Sequence, residues 1–327
     1  MNFPSVKNYA PESWGQIAPL IETWAFKPLA RHSSWSAPEL FAFAAGRLVK
    51  TLASENASAW MMMRGDEACG FAALSTLPWD SEQVGFPAAR LDYLIANGDY
   101  GEQYNIKKLL LEQLLDETLH RGVWHLSVRV DASDLSSLHV LEEAGFITVD
   151  GILTLALDLS NQKPAELPFD FNIRLATAAD AEQAAALART AYSQDRFHSD
   201  PFIYKDRADE LHATWLRNSC TGKVGDAVVL AEDSAGLLGF VTCAVQRDTA
   251  ARLGQLVGTI VLVASAKRAR GRGVGQALTN AAIEWFREQE CEVVEVGTQL
   301  RNINASRLYQ KCGFRLVGSS VSLRLIL

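Results

Sequence analysis

Four cations, Lys267, Arg268, Arg270 and Arg272, are interleaved with Gly271, Gly273 and Gly275 in the stretch KRARGRGVGQALTNAAIEW. The apolar, strand-like run LVGTIVLVAS leads into it, and an Ala/Leu-rich helical pattern leads out. Strand, glycine turn and helix start together form a nest of backbone N–H groups. Glycine lets the backbone approach an anion closely, and the helix dipole favours negative charge there. The chemistry this spacing points to is the binding of a phosphate or pyrophosphate. A turn that merely packs tightly is the competing reading; the preceding strand and the clustered arginines favour phosphate. No Gly-Lys-Ser/Thr follows, as a triphosphate loop requires, and Gln276 stands where a dinucleotide fingerprint needs its third glycine.

The rest of the chain makes this turn a local feature. Its formal net charge is −7, which argues against nucleic-acid binding through a broad basic face. At 327 residues with 48% hydrophobic content, two ordinary domains are expected. No apolar run has bilayer length, and MNFPSVKNYAPESWGQ lacks the basic start and apolar core of a signal peptide. Cys69, Cys220, Cys243, Cys291 and Cys312 are scattered and form no CxxC pair. A soluble, cytoplasmic protein with free thiols and no metal site is expected.

The sequence also compares with itself. LEEAGFITVDGILTLALDL (141–159) parallels YQKCGFRLVGSSVSLRLIL (309–327), and CGFAALS (69–75) parallels LGFVTCA (238–244). Two matches at an offset of about 168 positions point to a duplicated domain. We expect copies at 1–159 and 171–327, joined by the polar, proline-containing linker SNQKPAELPFD (160–170). Within the second copy, FNIRLAT, DAVVLAED, LLGFVTCAVQ, LVGTIVLVAS and CEVVEVGTQ read as strands. AADAEQAAALARTAY, DRADELHATWLRN and INASRLYQKCG read as helices. The plan is α+β: a mostly antiparallel sheet flanked by helices.

On these residues the chain resembles the Gcn5-related N-acetyltransferase (GNAT) family. Arg270, Gly273 and Gly275 match its Arg/Gln-x-x-Gly-x-Gly/Ala motif. Asn302, Ala305 and Tyr309 match its Asn-x-x-Ala-x-x-x-Tyr element, with Gly313 and Phe314 behind. The resemblance implies acetyl-CoA as co-substrate. The turn from Arg270 through Gly271, Arg272, Gly273, Val274 and Gly275 to Gln276 would hold its pyrophosphate, and Val263, Ala264 and Ser265 its pantetheine arm. Lys267 and Arg268 would reach the 3′-phosphate, and Asn302 would orient the cofactor. Tyr309, protonated at neutral pH, would give the departing thiolate its proton.

The first copy departs from the pattern. Its turn, NGDYGEQYNIKKLLL, has no RxxGxG, Leu141 stands at the tyrosine position and Asp134 at the asparagine position. A degenerate, catalytically silent copy is expected. The stretches DRFHSDPFIYKDRADELHATWLRNS (195–219) and PWDSEQVGFPAARLDYL (78–94) resemble enzymes of the TDP-fucosamine acetyltransferase type, which acetylate amino groups on nucleotide-linked sugars. Arg196 is then the candidate for a sugar-nucleotide phosphate and His198 for a proton. A mycothiol-synthase type of tandem acetyltransferase, or a CoA-binding module without turnover, are the alternatives. A small-molecule amine is the expected partner, and a homodimer is left open.

Overall fold

The structure is a computed structural model that describes residues 5–32, 35–160 and 170–327. All but the two ends of the expected 160–170 linker lie outside the described residues. Through the first copy the elements run β1 (Ser5–Asn8), α1 (Trp14–Thr23), α2 (Ala37–Leu52), β2 (Ala57–Arg64) and β3 (Glu67–Thr76). Then come α3 (Pro78–Val84), β4 (Ala88–Ala96), α4 (Tyr100–His120), β5 (His125–Asp131), α5 (Leu135–Glu143) and β6 (Ile147–Asp158). The second copy runs β7 (Asn172–Leu175), α6 (Ala181–Ala191), α7 (Arg196–Ser199), α8 (Lys205–Cys220), β8 (Ala227–Asp233) and β9 (Gly236–Gln246). It ends α9 (Arg247–Leu253), β10 (Val257–Ser265), α10 (Val274–Glu288), β11 (Val293–Gln299), α11 (Ile303–Lys311) and β12 (Arg315–Ile326).

Two compact units result, and their boundary differs from the expected one. One unit takes the chain up to Gly151 and adds Ser319–Leu327; the other is Ile152–Gly318. The cause is an exchange of last strands. The sheet of the first unit is ordered β1-β2-β3-β4-β5-β12, and that of the second β6-β11-β10-β9-β8-β7. β12 lies antiparallel to β5, from Ser320 opposite Asp131 to Ile326 opposite His125. β6 lies antiparallel to β11, from Ile152 opposite Gln299 to Asp158 opposite Val293. Ladder hydrogen bonds, rather than position along the chain, decide which unit a strand belongs to.

Both sheets are antiparallel except for one pair each, β4 with β5 and β10 with β11, as the α+β plan requires. Helices cover both faces. In the second unit, Leu278, Ala282 and Phe286 of α10 and Tyr309 of α11 pack with Val294 and Val296 on one face. Ala184 and Ala188 of α6 and Leu216 of α8 pack with Leu230 and Phe240 on the other. The first unit repeats the plan with Leu110, Leu114 and Leu141 on one face and Ile17, Leu20 and Leu48 on the other. The duplication reaches even the irregularities. The β9–β10 register slips so that Val261 bulges between Ile260 and Leu262, and the β3–β4 register slips so that Asp92 bulges between Leu91 and Tyr93. No helix among the described residues is long and apolar enough to cross a membrane.

Candidate active site

The parallel ladder between β10 and β11 covers only Val257–Ile260 against Val293–Val296. Beyond it β10 runs on to Ser265 while pairing only with β9, Val263 opposite Val241, Ala264 opposite Phe240 and Ser265 opposite Gly239. The two parallel strands therefore separate, and the edge of β10 that faced β11 gives up its ladder partners. The bulge at Val261 turns the strand at that point, and the displaced Leu262 N–H donates to Thr242 Oγ1 at 2.9 Å. Gly239 lies beneath, where a Cβ would come within 2.7 Å of the Ala264 carbonyl oxygen, so only glycine fits there.

A short 3₁₀ turn (Lys267–Ala269) leads from the strand to α10. Gly271 (φ +80°) and Gly273 (φ +78°) both adopt the left-handed conformation, which costs other residues strain. Gly273 is the N-cap and offers no side chain to the helix. The first-turn N–H groups of Val274, Gly275 and Gln276 have no intrahelical acceptor by helix geometry. A Cβ at Gly271 would meet only open space. The turn is thus an uncapped set of donors at a helix start, a polarity that suits an anion such as phosphate.

The four cations divide into two pairs. Arg268 forks onto Asp233, with both Nη1 contacts at 3.0 Å, and its Nη2 donates to the carbonyls of Gly236 and Leu237. Arg272 joins it on Asp233 at 2.9 Å and reaches Asp170 at 3.2 Å. The two guanidinium groups hold the Asp233 carboxyl well below the usual carboxylate range. Arg268 is therefore tied to the β8–β9 hairpin rather than extended toward a ligand, contrary to its expected reach for a 3′-phosphate. Lys267 and Arg270 are exposed and form no ion pair among the described residues. Asp233, distant in sequence, gave no signal beforehand.

Asn302 and Tyr309 stand at the start and on the buried face of α11. Asn302 is the N-cap, and its Oδ1 accepts from the Ala305 N–H at 3.1 Å. Tyr309 is 4% exposed and meets the Phe314 ring edge-on at 5.8 Å between centroids. Burial raises its phenol pKa above the ordinary value, with Cys312 adding to the effect, so the hydroxyl stays protonated across the neutral range. Burial also pushes the Cys312 thiol up to about 11, which suits a packing residue rather than a nucleophile.

α7 holds Arg196 and His198. The Arg196 guanidinium lies over the Phe197 ring at 4.4 Å. His198 differs from the open proton acceptor expected of it. Its Nδ1 donates to Asp195 at 2.6 Å and its Nε2 to Asp209 at 3.0 Å. Burial alone would lower its pKa; the two carboxylates outweigh burial and raise it. Asp195 also caps α7, accepting from the Phe197 and His198 N–H groups. His212 of α8 hydrogen-bonds the Ala208 carbonyl through Nδ1 at 2.8 Å and faces Asp195 across 3.8 Å, and its burial lowers its pKa. Donor atoms of Asp195, His198 and His212 lie within 4.8 Å of one another, a grouping that could ligate a metal. The 2.6 Å contact inside it is a hydrogen bond, so a proton holds the group together as it stands. The sequence reading missed Asp195, Asp209 and His212, because one turn of α7 and a second helix bring them together.

Residues 186–314 match the sequence model of the Acetyltransferase (GNAT) family. Over this segment the chain therefore resembles a GNAT acetyltransferase domain. It is 27% identical over 237 residues to the spore coat polysaccharide biosynthesis protein SpsD of Bacillus subtilis, covering 72% of this chain and 76% of that one. It is 26% identical over 189 residues to a dTDP-fucosamine acetyltransferase of Escherichia coli, covering 58% and 75%. A mycothiol acetyltransferase of Renibacterium salmoninarum is 26% identical over 249 residues, covering 74% and 69%. A GCN5-related N-acetyltransferase structure from Sphaerobacter thermophilus superposes with a TM-score of 0.65 at 18% identity over 99% of this chain and 95% of that one, a likeness of fold.

Proposed function

We propose that the chain is an N-acetyltransferase that moves the acetyl group of acetyl-CoA to the amino group of a nucleotide-linked amino sugar, with its second unit as the catalytic one. The observation that carries this reading is the uncapped start of α10 placed at the end of the separating strand β10, with Tyr309 buried on the next helix. Acetyl-CoA supplies the acetyl thioester. The amides of the turn from Gly271 to Gln276 would hold its pyrophosphate, and the freed edge of β10 at Val263, Ala264 and Ser265 its pantetheine arm. Backbone N–H groups of that edge would polarise the thioester carbonyl. Tyr309 holds a proton at its hydroxyl for a departing thiolate, and its raised pKa keeps that proton in place until negative charge develops nearby.

The sugar-linked acceptor is supported by the fucosamine and spore coat polysaccharide relatives. The mycothiol relative supports a second reading, another small amine as acceptor. Thiol release from acetyl-CoA, measured over a panel of nucleotide amino sugars and non-nucleotide amines, tests the choice. Turnover confined to the non-nucleotide amines would replace the first reading by the second; acetyl-CoA binding without turnover on any amine would reduce the protein to a binding module.

A further inference from the structure

Tyr192, at the C-terminal end of α6, has a buried hydroxyl with no hydrogen-bond partner among the described residues. A buried phenol elsewhere finds a partner, because leaving the O–H unmet forfeits its hydration. The ring itself is firmly seated. It stacks on His212 with centroids 4.3 Å apart and planes 20° from parallel, and it lies 6.5 Å from the ring of Phe240. Phe240 is the β9 residue opposite Ala264, at the separated end of β10. His212 is fixed in turn by its hydrogen bond to Ala208, and Asp195 by its own cap and by His198. The Tyr309 phenol lies close enough to raise the Tyr192 pKa further above the level burial sets, and Asp195 does the same. The hydroxyl is thus unmet on a ring seated against Phe240, the β9 residue paired with the separated end of β10.

We propose that the Tyr192 hydroxyl is the hydrogen-bonding subsite for the acceptor's amino group. It accepts from one amine N–H and leaves the nitrogen lone pair directed at the acyl carbon. Asp195, His198 and His212 act as positioning residues that hold the ring. The proposal rests on the acetyl-transfer reading above but not on the identity of the sugar.

The test is Tyr192→Phe, read by three measurements. As the amine attacks it gains positive charge, so the hydrogen bond it loses is a charge-assisted one, and kcat/KM for the acceptor should fall about 10- to 100-fold. Acetyl-CoA affinity by calorimetry and acceptor-independent hydrolysis of acetyl-CoA should stay at wild-type levels. The melting temperature should hold or rise, because the substitution removes a hydroxyl that the folded protein leaves unmet. A lowered melting temperature overturns the proposal even when no amine tested is turned over, since it shows a structural partner for the hydroxyl. Unchanged acceptor kinetics, or a parallel loss of acetyl-CoA affinity, also overturns it. Failure of the wild type on every nucleotide sugar would instead count against the acceptor class alone, and the melting temperature of the variant would still decide the role of Tyr192.

Discussion

At the start of α10 the first turn presents bare N–H groups behind two left-handed glycines, whereas at the equivalent place in the first unit the chain is already helical and its donors are taken. A Cβ on Gly239 would strike Val274 and Leu278, and one on Gly70 would strike Ile106 and Leu110. Ile106 therefore corresponds to Val274, and Lys107 to Gly275. Residues 100–105 of α4 form extra helix where the second unit has its glycine turn. Asp99 caps this longer helix, accepting from the Glu102 N–H at 2.9 Å, while Glu102 reaches back to the Asp99 N–H at 3.2 Å. Lys107 stands at the position that corresponds to Gly275. Its Nζ donates to Asp134 at 2.7 Å and to Ser136 at 2.8 Å, and its side chain is 2% exposed. Burial lowers the Lys107 pKa and the Asp134 carboxylate works against that fall. The comparison teaches that one helix start can be met from within the protein, by the Asp99–Glu102 box, while the other leaves its first-turn donors without a side-chain cap.

Tyr309→Phe should break the comparison most severely. Its counterpart Leu141 is a fully buried core residue, and the Phe variant makes the second unit as poor in proton donors as the first. We expect kcat to fall by about 10²–10⁴, with acetyl-CoA affinity nearly unchanged. A near-normal kcat with a lowered melting temperature would show the hydroxyl to be structural. Lys107→Ala comes next. It leaves Asp134 buried without its cation and should destabilise the protein by about 3–5 kcal/mol, measured by urea unfolding. Acetyl-CoA should bind at one site per chain in both proteins, and a calorimetric stoichiometry of two for the wild type would show that the first unit keeps a working groove.

Gly273→Val puts a β-branched residue at φ +78° and a side chain among the donors. Acetyl-CoA binding should weaken by at least about 10-fold, while circular dichroism stays native; unchanged affinity would remove this turn from the site. The smallest effect belongs to His198, which faces Asp195, Asp209 and His212, with Lys205 pairing Asp209 from the solvent side. Folding raises its pKa, so its contribution is complete below the ordinary histidine value of about 6.5 and is lost as pH rises through the raised value. The melting-temperature gap between the wild type and His198→Asn should narrow as pH rises above about 6.5. A gap independent of pH would mean that packing, not charge, does the holding.

Much of this was legible in the chain itself. Glycines at 271, 273 and 275 after an apolar strand specify a turn by backbone sterics alone, and the periodicity of α10 and α11 places Tyr309 on the inward face. What stayed hidden depends on partners far apart in sequence. Nothing near Arg268 or Arg272 indicates that Asp233 holds both, and Lys107 reads as an ordinary surface lysine until Asp134 is brought beside it. His198 suffered the same misreading: its two carboxylates lie three residues back and eleven residues on. The strand exchange escaped for a simpler reason. Each repeat carries a good last strand, and sequence patterning does not say which edge that strand will join.

That exchange also sets an order in time. The edge of β5 is made by residue 131, yet the strand that covers it begins pairing at Ser320. A ribosome adding about 5–20 residues per second needs about 10–40 s to make the intervening chain. During that interval the nascent first unit offers a row of unpaired backbone donors and acceptors, the kind of surface that recruits stray strands. Slow growth or stalling within the second half would lengthen the exposure without changing a single native contact. The yield of soluble protein should therefore respond to translation speed across residues 132–319.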